Sequence, residues 1–352
     1  MSWQKNLRKT DPYTAGEQPK IQNLIKLNTN ENPYGPGEKV KQAIKDFDSE
    51  SLKLYPDPDA SCLKHALALY HGLEDDQVFI GNGSDEVLAL TFLACFNGDQ
   101  DLLFPDITYS FYPVYCKLYN INYQQIPLKE DFTINKEDYY RSNGGIIFPN
   151  PNAPTGAIMS LEDIEDILVH NKESIVVVDE AYIDFGGESC LPLLSQYDNL
   201  LIIRTFSKFR SLAGIRLGAA YGNKELISYL YDIKNSFNSY PVDCLAQAIG
   251  YASVCDSDSI KKNALKIINT RERVSGQLKE LGFSMPHSYS NFLFISHNTL
   301  SASYLFDELR KEGIVVRYFN SPRIDNYLRV TIGTEEQMNK FLNTIKDILA
   351  RK

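Results

Sequence analysis

Short runs of apolar residues alternate with longer helical patterns from about residue 75 of the chain. Four or five consecutive apolar residues without polar alternation are typical of strands covered on both faces. Separated by helical patterns, such strands predict a mainly parallel sheet flanked by helices, which is an α/β domain. The runs are DQVFI (76–80), DLLF (101–104), GIIF (145–148), SIVVVDE (174–180), NLLIIRT (199–205) and RLGAAYG (216–222).

The pattern changes after about residue 258. Helical patterns there alternate with short apolar strands, which predicts a smaller α+β unit with its own antiparallel sheet. The elements are a charged helix over 258–281, NFLFIS (291–296), a helix over 301–312, GIVVRYF (313–319), YLRVTIG (327–333) and a helix over 334–350.

The first 45 residues contain the turn-rich stretch NTNENPYGPG, whose prolines and glycines exclude a long helix or a central strand. We expect this segment to pack with the smaller unit. The expected organisation is a large domain over 46–257 and a small domain formed by 1–45 and 258–352. A chain of 352 residues with 43% hydrophobic content is long enough for two cores.

Charge argues against a nucleic acid as partner. The formal net charge is −9, and no basic run stands out. A small anion would therefore have to be bound by a few individually placed arginines, because the overall field repels negative charge. Each arginine near a candidate site is thus informative.

The cysteines are scattered and contain no C-x-x-C pair, which indicates neither a zinc site nor a disulfide framework. Free thiols in a reducing cytosol are the expected state. The histidines form no H-x-x-x-H cluster, so no metal site is predicted. The first residues contain no apolar signal-peptide core, and no apolar stretch approaches ~18 residues, so we expect a cytoplasmic protein without a membrane span.

Polar residues follow several of the predicted strands, where the ligands of open α/β sheets lie. FIGNGSDEV (79–87) runs from a strand through Gly81 and Gly83 into a helix, whose N-terminal N–H groups favour a phosphate. A glycine turn before a helix is also a common structural feature, so this motif alone is not decisive. FPNPNAPTG (148–156) is a rigid turn that is equally consistent with a plain connection.

Two further strand ends carry ionisable side chains. VVVDEAY ends a buried strand with Asp179 and places Tyr182 three residues on, although an acid there could simply cap a helix. Lys208 follows the run 199–205, and a desolvated lysine at the mouth of a sheet favours the neutral amine that condenses with an aldehyde. The alternative is a surface lysine on a loop.

Together these residues suit one ligand. An aromatic aldehyde cofactor with a ring nitrogen and a phosphate needs a lysine, a buried carboxylate, donors to its ring hydroxyl, and a phosphate cup with an arginine. The sequence therefore predicts pyridoxal phosphate as the cofactor. The candidates are Lys208, Asp179, Asn152 with Tyr182, and Gly83 and Ser84 with Ser207 and Arg216.

Motifs over nearly the whole chain resemble the fold-type I pyridoxal-phosphate aminotransferases and, within them, the histidinol-phosphate aminotransferases. Aromatic aminotransferases and threonine-phosphate decarboxylases share most of these motifs. The motifs are DPYTAGEQP (11–19), LNTNENPYGP (27–36), YPDP (55–58), GNGSDE (81–86), NAPTG (152–156), DEAY (179–182), TFSKFRSLAGIRLG (205–218), NSFNSYPV (235–242) and LRVTIGT (328–334).

The resemblance implies a fold-type I enzyme with roles for individual residues. Lys208 would bind the cofactor covalently, Asp179 would pair with the pyridinium nitrogen, and Tyr182 would donate to the ring oxygen. Tyr109 would stack on the ring. The phosphate would be held by Ser207 and Arg216, with Gly83 and Ser84 of GNGSDE, and Asp85 of the same motif is a further cofactor-binding candidate.

The resemblance also implies a homodimer and a substrate site. Tyr55 of YPDP would reach the cofactor phosphate of the neighbouring subunit. Arg329 would receive the carboxylate or phosphate of the substrate. Arg317 and Tyr13 would bind the phosphate of histidinol phosphate, and Asn32 of NTNENP is a further substrate-binding candidate.

Two positions depart from the family pattern. The asparagine that contacts the ring hydroxyl usually stands directly before the proline of N-P-T-G, where this chain has Ala153, so Asn152 is the candidate. Cys244 stands where an arginine is frequent.

The expected reaction is transamination between L-histidinol phosphate and 2-oxoglutarate, giving imidazole acetol phosphate and glutamate. Lys208, once free, would move the substrate Cα proton as general base and acid. An aromatic aminotransferase and a threonine-phosphate decarboxylase-type lyase are the alternatives. A ligand-sensing regulator would need a DNA-binding segment, and the chain shows neither a spare helix-turn-helix region nor a basic face.

Overall fold

The computed structural model describes residues 3–14, 16–17 and 24–351. Within them the strands are β1 Ile25–Lys26, β2 Val78–Gly81, β3 Leu102–Pro105, β4 Tyr123–Ile126, β5 Gly145–Pro149, β6 Val176–Asp179, β7 Leu200–Thr205, β8 Gly218–Gly222, β9 Phe283–Ser284, β10 Phe292–His297, β11 Ile314–Val315, β12 Arg317–Tyr318 and β13 Leu328–Thr331. The helices are α1 Glu38–Asp46, α2 Ser61–His71, α3 Gly83–Cys95, α4 Tyr112–Tyr119, α5 Leu161–His170, α6 Lys224–Phe237, α7 Cys244–Cys255, α8 Ser257–Glu280, α9 Ala302–Lys311 and α10 Glu335–Ala350.

A seven-stranded sheet with the order β2-β8-β7-β6-β5-β3-β4 forms the centre of the molecule. Strands β7, β6, β5, β3 and β4 are parallel to one another, whereas β8 is antiparallel to both β2 and β7. The prediction of a mainly parallel sheet is thus confirmed. It did not include β4, because two of its four residues, Gln124 and Gln125, are exposed and polar.

The central strands contribute to a hydrophobic core on each face of this sheet. Val176 and Val178 belong to one core, and Val177 between them belongs to the other. In β7, Leu200 likewise belongs to the first core and Leu201 to the second. Because successive side chains of a strand point to opposite faces, a strand that is covered on both faces must be apolar throughout. This is the physical reason for the uninterrupted apolar runs.

Several chain segments meet at one edge of the sheet. The register pairs Pro149 of β5 with Asp179 of β6, and it pairs Thr205 of β7 and Gly81 of β2 with Gly218 of β8. Strand β8 starts where the parallel strands end, since it runs in the opposite direction. The polar residues that follow β2, β5, β6 and β7 are therefore brought to this edge.

The C-terminal part forms a four-stranded antiparallel sheet with the order β12-β13-β10-β9, as predicted. Helices α8, α9 and α10 contribute to a separate hydrophobic core with these strands. Strand β1 pairs in parallel with β11, so the turn-rich segment after residue 24 runs beside this unit.

The domain boundaries at 46 and 257 stay a prediction. Helix α1 packs against α7, and its Val40 belongs to a core of the large sheet together with Leu63 of α2. In packing, residues 38–46 thus associate with the large unit.

No helix within the described residues is long and apolar enough to span a membrane.

Candidate active site

A cavity of about 190 Å³ lies at this edge of the large sheet. Asp179 at the end of β6, Tyr182 just beyond it, and Lys208 and Arg216 from the connection between β7 and β8 line its wall. We call it the first cavity. The structure thus brings together in one cavity side chains from two separate segments of the chain, one at the end of β6 and one after β7. Four further predicted residues line it: Ser84, Asp85, Tyr109 and Ser207.

Lys208 is held by contacts on both its backbone and its side chain. Its Nζ donates a hydrogen bond to the carbonyl oxygen of Thr29 at 3.1 Å and lies 5.8 Å from the ring centroid of Tyr182. The side-chain amide of Asn32 donates to the Lys208 carbonyl oxygen at 3.0 Å. This contact anchors the loop that carries the lysine. Asn32 lines neither this cavity nor the one described below, and its role in substrate binding stays a prediction.

Asp179 is a carboxylate in an apolar environment. It is buried, and burial raises its pKa to about 7. Two hydrogen bonds oppose this effect: Tyr112 Oη donates to Oδ2 at 3.1 Å, and the backbone N–H of Ala181 donates to Oδ1 at 3.2 Å. No lysine or arginine among the described residues forms an ion pair with Asp179. A cationic ligand beside it would keep the carboxylate ionised.

Sequence reasoning did not identify Tyr112. Burial and the neighbouring Asp179 carboxylate raise the pKa of Tyr112 well above its usual value, so its hydroxyl remains a donor. Tyr112 is one of four tyrosines within ITYSFYPVYCKLY, and nothing in that stretch distinguishes it from the others.

The N-terminus of α3 and Arg216 form one end of the first cavity. Arg216 Nη2 donates to Asp85 Oδ2 at 2.9 Å, and Nη1 lies 3.4 Å from Ser207 Oγ. Gly83 has a φ of +81°, and a Cβ built there would lie 2.7 Å from Arg216 Nη2. A side chain is therefore excluded at Gly83. The unpaired N–H groups of the first helical turn and the guanidinium together favour an anion.

Tyr109 is held in place from two sides. Its hydroxyl donates to Asp85 Oδ1 at 2.8 Å, and its ring packs edge-on against Tyr112 with centroids 5.8 Å apart. It lines the first cavity, as a residue that stacks on a cofactor must.

Asn152 does not reach either cavity. Its amide nitrogen donates to the carbonyl oxygen of Ile107 and to Thr155 Oγ1, both at 3.0 Å, so both N–H groups are used within the turn. Ala153 lines the first cavity in its place. The role of Asn152 as a donor to a ring hydroxyl stays a prediction.

A second cavity of about 190 Å³ adjoins the first. The two share a wall formed by Thr29, Tyr109, Ala153, Tyr182 and Lys208. Three predicted substrate residues line the second cavity: Tyr13, Arg317 and Arg329.

The two arginines of the second cavity have no acidic partner among the described residues. Both guanidinium carbons lie 5.7 Å from the ring centroid of Phe319, and Arg329 Nη2 donates to the carbonyl oxygen of Asn28 at 3.0 Å. Desolvation and the nearby charge of Arg317 lower the pKa of Arg329. Two neighbouring cations without a counter-charge favour an anionic ligand in this cavity.

Tyr13 and Tyr55 lie in different places. Tyr13 is stacked on Phe111, with ring centroids 4.3 Å apart, and faces the second cavity. Tyr55 is 83% exposed, stacks on Tyr240 and lines neither cavity of its own chain.

Within the described part of the chain, no cluster of His, Cys, Asp and Glu could hold a metal ion.

Comparisons with known proteins agree with this geometry. A sequence profile of the family described as aminotransferase class I and II matches residues 22–345. The chain is 56% identical over 352 residues to the histidinol-phosphate aminotransferase of Lactococcus lactis subsp. cremoris (strain SK11), which covers 100% of this chain and 99% of the relative.

Solved structures have the same fold. The crystal structure of the histidinol-phosphate aminotransferase from Clostridium acetobutylicum has a TM-score of 0.86 and 27% identity, covering 94% of this chain and 100% of that chain. The crystal structure of histidinol-phosphate aminotransferase from Sinorhizobium meliloti in complex with pyridoxal-5'-phosphate has a TM-score of 0.83 and 22% identity, covering 92% and 91%. The predicted fold class, a fold-type I α/β transferase, is confirmed.

Replacing Asp179 by Asn is expected to raise the melting temperature of the ligand-free protein at neutral pH. The folded-state pKa of Asp179 is about 7, above the ordinary 3.8, so the folded protein holds an extra proton between these values and loses stability as the pH rises through them. An asparagine at position 179 does not ionise, so the variant does not lose stability in this way. Thermal unfolding measures the effect. Position 179 should cause no difference in melting temperature between the two proteins near pH 4, and the melting temperature of the variant should increasingly exceed that of the wild type up to about pH 7.

Tyr112→Phe provides the matched control. It keeps the carboxylate but removes a hydrogen bond that lowers the pKa of Asp179. Its loss of stability with rising pH should therefore exceed that of the wild type. If Asp179→Asn followed the pH dependence of the wild type throughout, the raised pKa would be contradicted.

Proposed function

Because the chain belongs to the family of class I and II aminotransferases, we propose that it transfers the amino group of L-histidinol phosphate to 2-oxoglutarate with pyridoxal phosphate as cofactor. The products are imidazole acetol phosphate and glutamate, a reaction of histidine biosynthesis. One observation carries the proposal: Lys208 borders the same cavity as two arginines that have no acidic partner in the described part of the chain, and the chain is 56% identical to a histidinol-phosphate aminotransferase.

The residues of the first cavity fit pyridoxal phosphate. Among the described residues no lysine or arginine pairs with the buried Asp179, and a protonated ring nitrogen would supply the missing cation. The N-terminus of α3 with Arg216 and Ser207 would hold the phosphate. Tyr182 would donate to the ring oxygen, and Lys208 would bind the aldehyde. When bound, the cofactor supplies an electron-withdrawing ring linked to the substrate amine.

The side chains perform the remaining chemistry. Asp179, ionised, holds the proton on the ring nitrogen and stabilises the positive charge there. Lys208 Nζ would be released when the substrate amine takes its place. As general base it would remove the proton from the substrate Cα, and as general acid it would deliver a proton to the cofactor carbon, so that the amino group stays with the cofactor. The position of Lys208 on the wall shared by the two cavities supports this role, because the amine would lie between the cofactor and the substrate.

The second cavity must accept two different anions. Histidinol phosphate carries a phosphate, and 2-oxoglutarate carries two carboxylates. A guanidinium binds either group through two parallel hydrogen bonds, so Arg317 and Arg329 suit both substrates. Tyr13 would close the cavity beside Arg317.

We also propose that the active enzyme is a cytoplasmic homodimer in which Tyr55 serves the site of the partner subunit. The stacked rings of Tyr55 and Tyr240 are largely exposed, as are Leu54 and Phe237 close to them in the sequence. Exposed apolar and aromatic side chains of this size support a protein interface.

Purified protein with pyridoxal phosphate is expected to convert histidinol phosphate only when 2-oxoglutarate is present, and to form glutamate in equal amount. Phenylalanine and threonine phosphate, each with and without 2-oxoglutarate, are the comparison substrates, and Lys208→Ala is the inactive control. Faster turnover of phenylalanine would favour an aromatic aminotransferase. Carbon dioxide release from threonine phosphate without 2-oxoglutarate would favour a lyase.

Arg317→Ala is expected to raise KM for histidinol phosphate by about 10- to 100-fold, because a charge-assisted hydrogen bond contributes about 1.5–3 kcal/mol. The effect on KM for glutamate should be smaller. Arg323→Ala is the matched control: Arg323 pairs with Asp106 and does not line the second cavity. Equal losses for both substrates would indicate a general structural role for Arg317.

Hybrid dimers are expected to test the role of Tyr55. Lys208→Ala and Tyr55→Phe subunits with different tags are co-expressed, and the hybrid is purified. If Tyr55 acts in the partner's site, one of the two hybrid sites combines an intact Lys208 with an intact Tyr55, and about half the wild-type activity returns. If Tyr55 acts in its own chain, each site has one defect and the hybrid stays as impaired as its parents.

A further inference from the structure

We propose that Asn30 is a positioning residue that directs the hydroxyl proton of Tyr182 into the first cavity. This inference rests on the proposed function, in which Tyr182 donates to the cofactor ring oxygen. Asn30 Nδ2 donates to Tyr182 Oη at 2.9 Å, and both residues are buried. An amide nitrogen can only donate, so the tyrosine oxygen accepts in this bond and its own proton must point elsewhere.

The orientation of the Asn30 amide is fixed by Thr331. The Thr331 hydroxyl accepts from the backbone N–H of Asn30 at 3.0 Å and donates its single proton to Asn30 Oδ1 at 3.1 Å. The amide oxygen therefore faces Thr331, and the amide nitrogen faces Tyr182. Each partner is satisfied in one arrangement, which favours a single direction for every proton in the network.

The backbone of Asn30 is held equally firmly. Its φ is +55°, in the left-handed region that asparagine tolerates better than most residues. Asn291 Nδ2 donates to its carbonyl oxygen at 3.0 Å. The side chain thus has little freedom to turn away from Tyr182.

Tyr182 has no competing side-chain partner in the described part of the chain. The hydroxyl of Tyr182 accepts a hydrogen bond from the side-chain amide of Asn30. The side chain of Ala153, which lines the same cavity, has no hydrogen-bond donor. The strength of proton donation at this wall therefore depends on how Asn30 orients the hydroxyl of Tyr182.

The consequence is a change in the acidity of the bound cofactor. A hydrogen bond donated to an oxygen that becomes negative stabilises the deprotonated form and lowers the pH at which the proton is lost. Asn30→Asp keeps the shape of the side chain but replaces the donor by an acceptor, so the tyrosine proton would turn toward residue 30 and away from the cavity. The midpoint of the pH-dependent absorbance change of the bound cofactor should rise by about 1 pH unit.

The test is a spectroscopic pH titration of the holoenzyme without substrate. Tyr182→Phe should show a similar upward shift, and adding Asn30→Asp to Tyr182→Phe should produce no further shift, because the two residues act through one hydroxyl. An Asn30→Asp midpoint equal to that of the wild type, or shifts that add in the double variant, would overturn the proposal.

A second variant covers the possibility that Asn30→Asp folds poorly. Thr331→Val removes the hydroxyl that orients the amide and should shift the midpoint in the same direction by less. An unchanged midpoint in Thr331→Val would also count against the network. A wild-type protein that binds no pyridoxal phosphate would contradict the proposed function itself, whereas an unshifted midpoint in a cofactor-loaded variant contradicts only the role of Asn30.

Discussion

The carboxylate of Asp179 ends a strand whose other residues are apolar and fully buried, and the site is organised around the energetic cost of a charge in that position. Water cannot stabilise the charge there, and the hydrogen bonds from Tyr112 and the Ala181 backbone do so only in part. A ligand with a cationic ring would remove the remaining cost. The same burial that disfavours the ionised carboxylate in isolation makes its attraction to such a ligand strong.

The sequence predicted the parts of the site that depend on strand order. Asp179, Lys208 and Arg216 each stand next to an apolar run, and the carboxyl ends of adjacent strands meet at one edge, so their proximity follows from topology. The direction of a side chain does not follow from strand order. Asn152 and Asn32 lie close in the sequence to residues of the cavity, but their amides bond to nearby carbonyl oxygens instead.

Tyr112 and Asn30 could not be found from the sequence for a different reason. Each contacts its partner across a large separation along the chain, Tyr112 with Asp179 and Asn30 with Tyr182. Neither residue stands in a pattern that distinguishes a hydrogen-bond partner from a core tyrosine or a turn asparagine. Such contacts are decided by packing, after the strands are in place.

The antiparallel direction of β8 could not be predicted either, because its apolar run has the same pattern as those of the parallel strands. That direction of β8 has a consequence for how the site can vary. Lys208 and Arg216 both lie on residues 206–217, a single connection that leaves the sheet at the end of β7 and returns at the same edge to start β8. With a parallel β8 the chain would have to cross to the opposite edge first. With the antiparallel β8, the lysine and the arginine of the first cavity are separated by a fixed length of chain. An insertion or deletion in this connection would alter the spacing of both at once, so its length is constrained by the size of the ligand, even where its residue types are free to change.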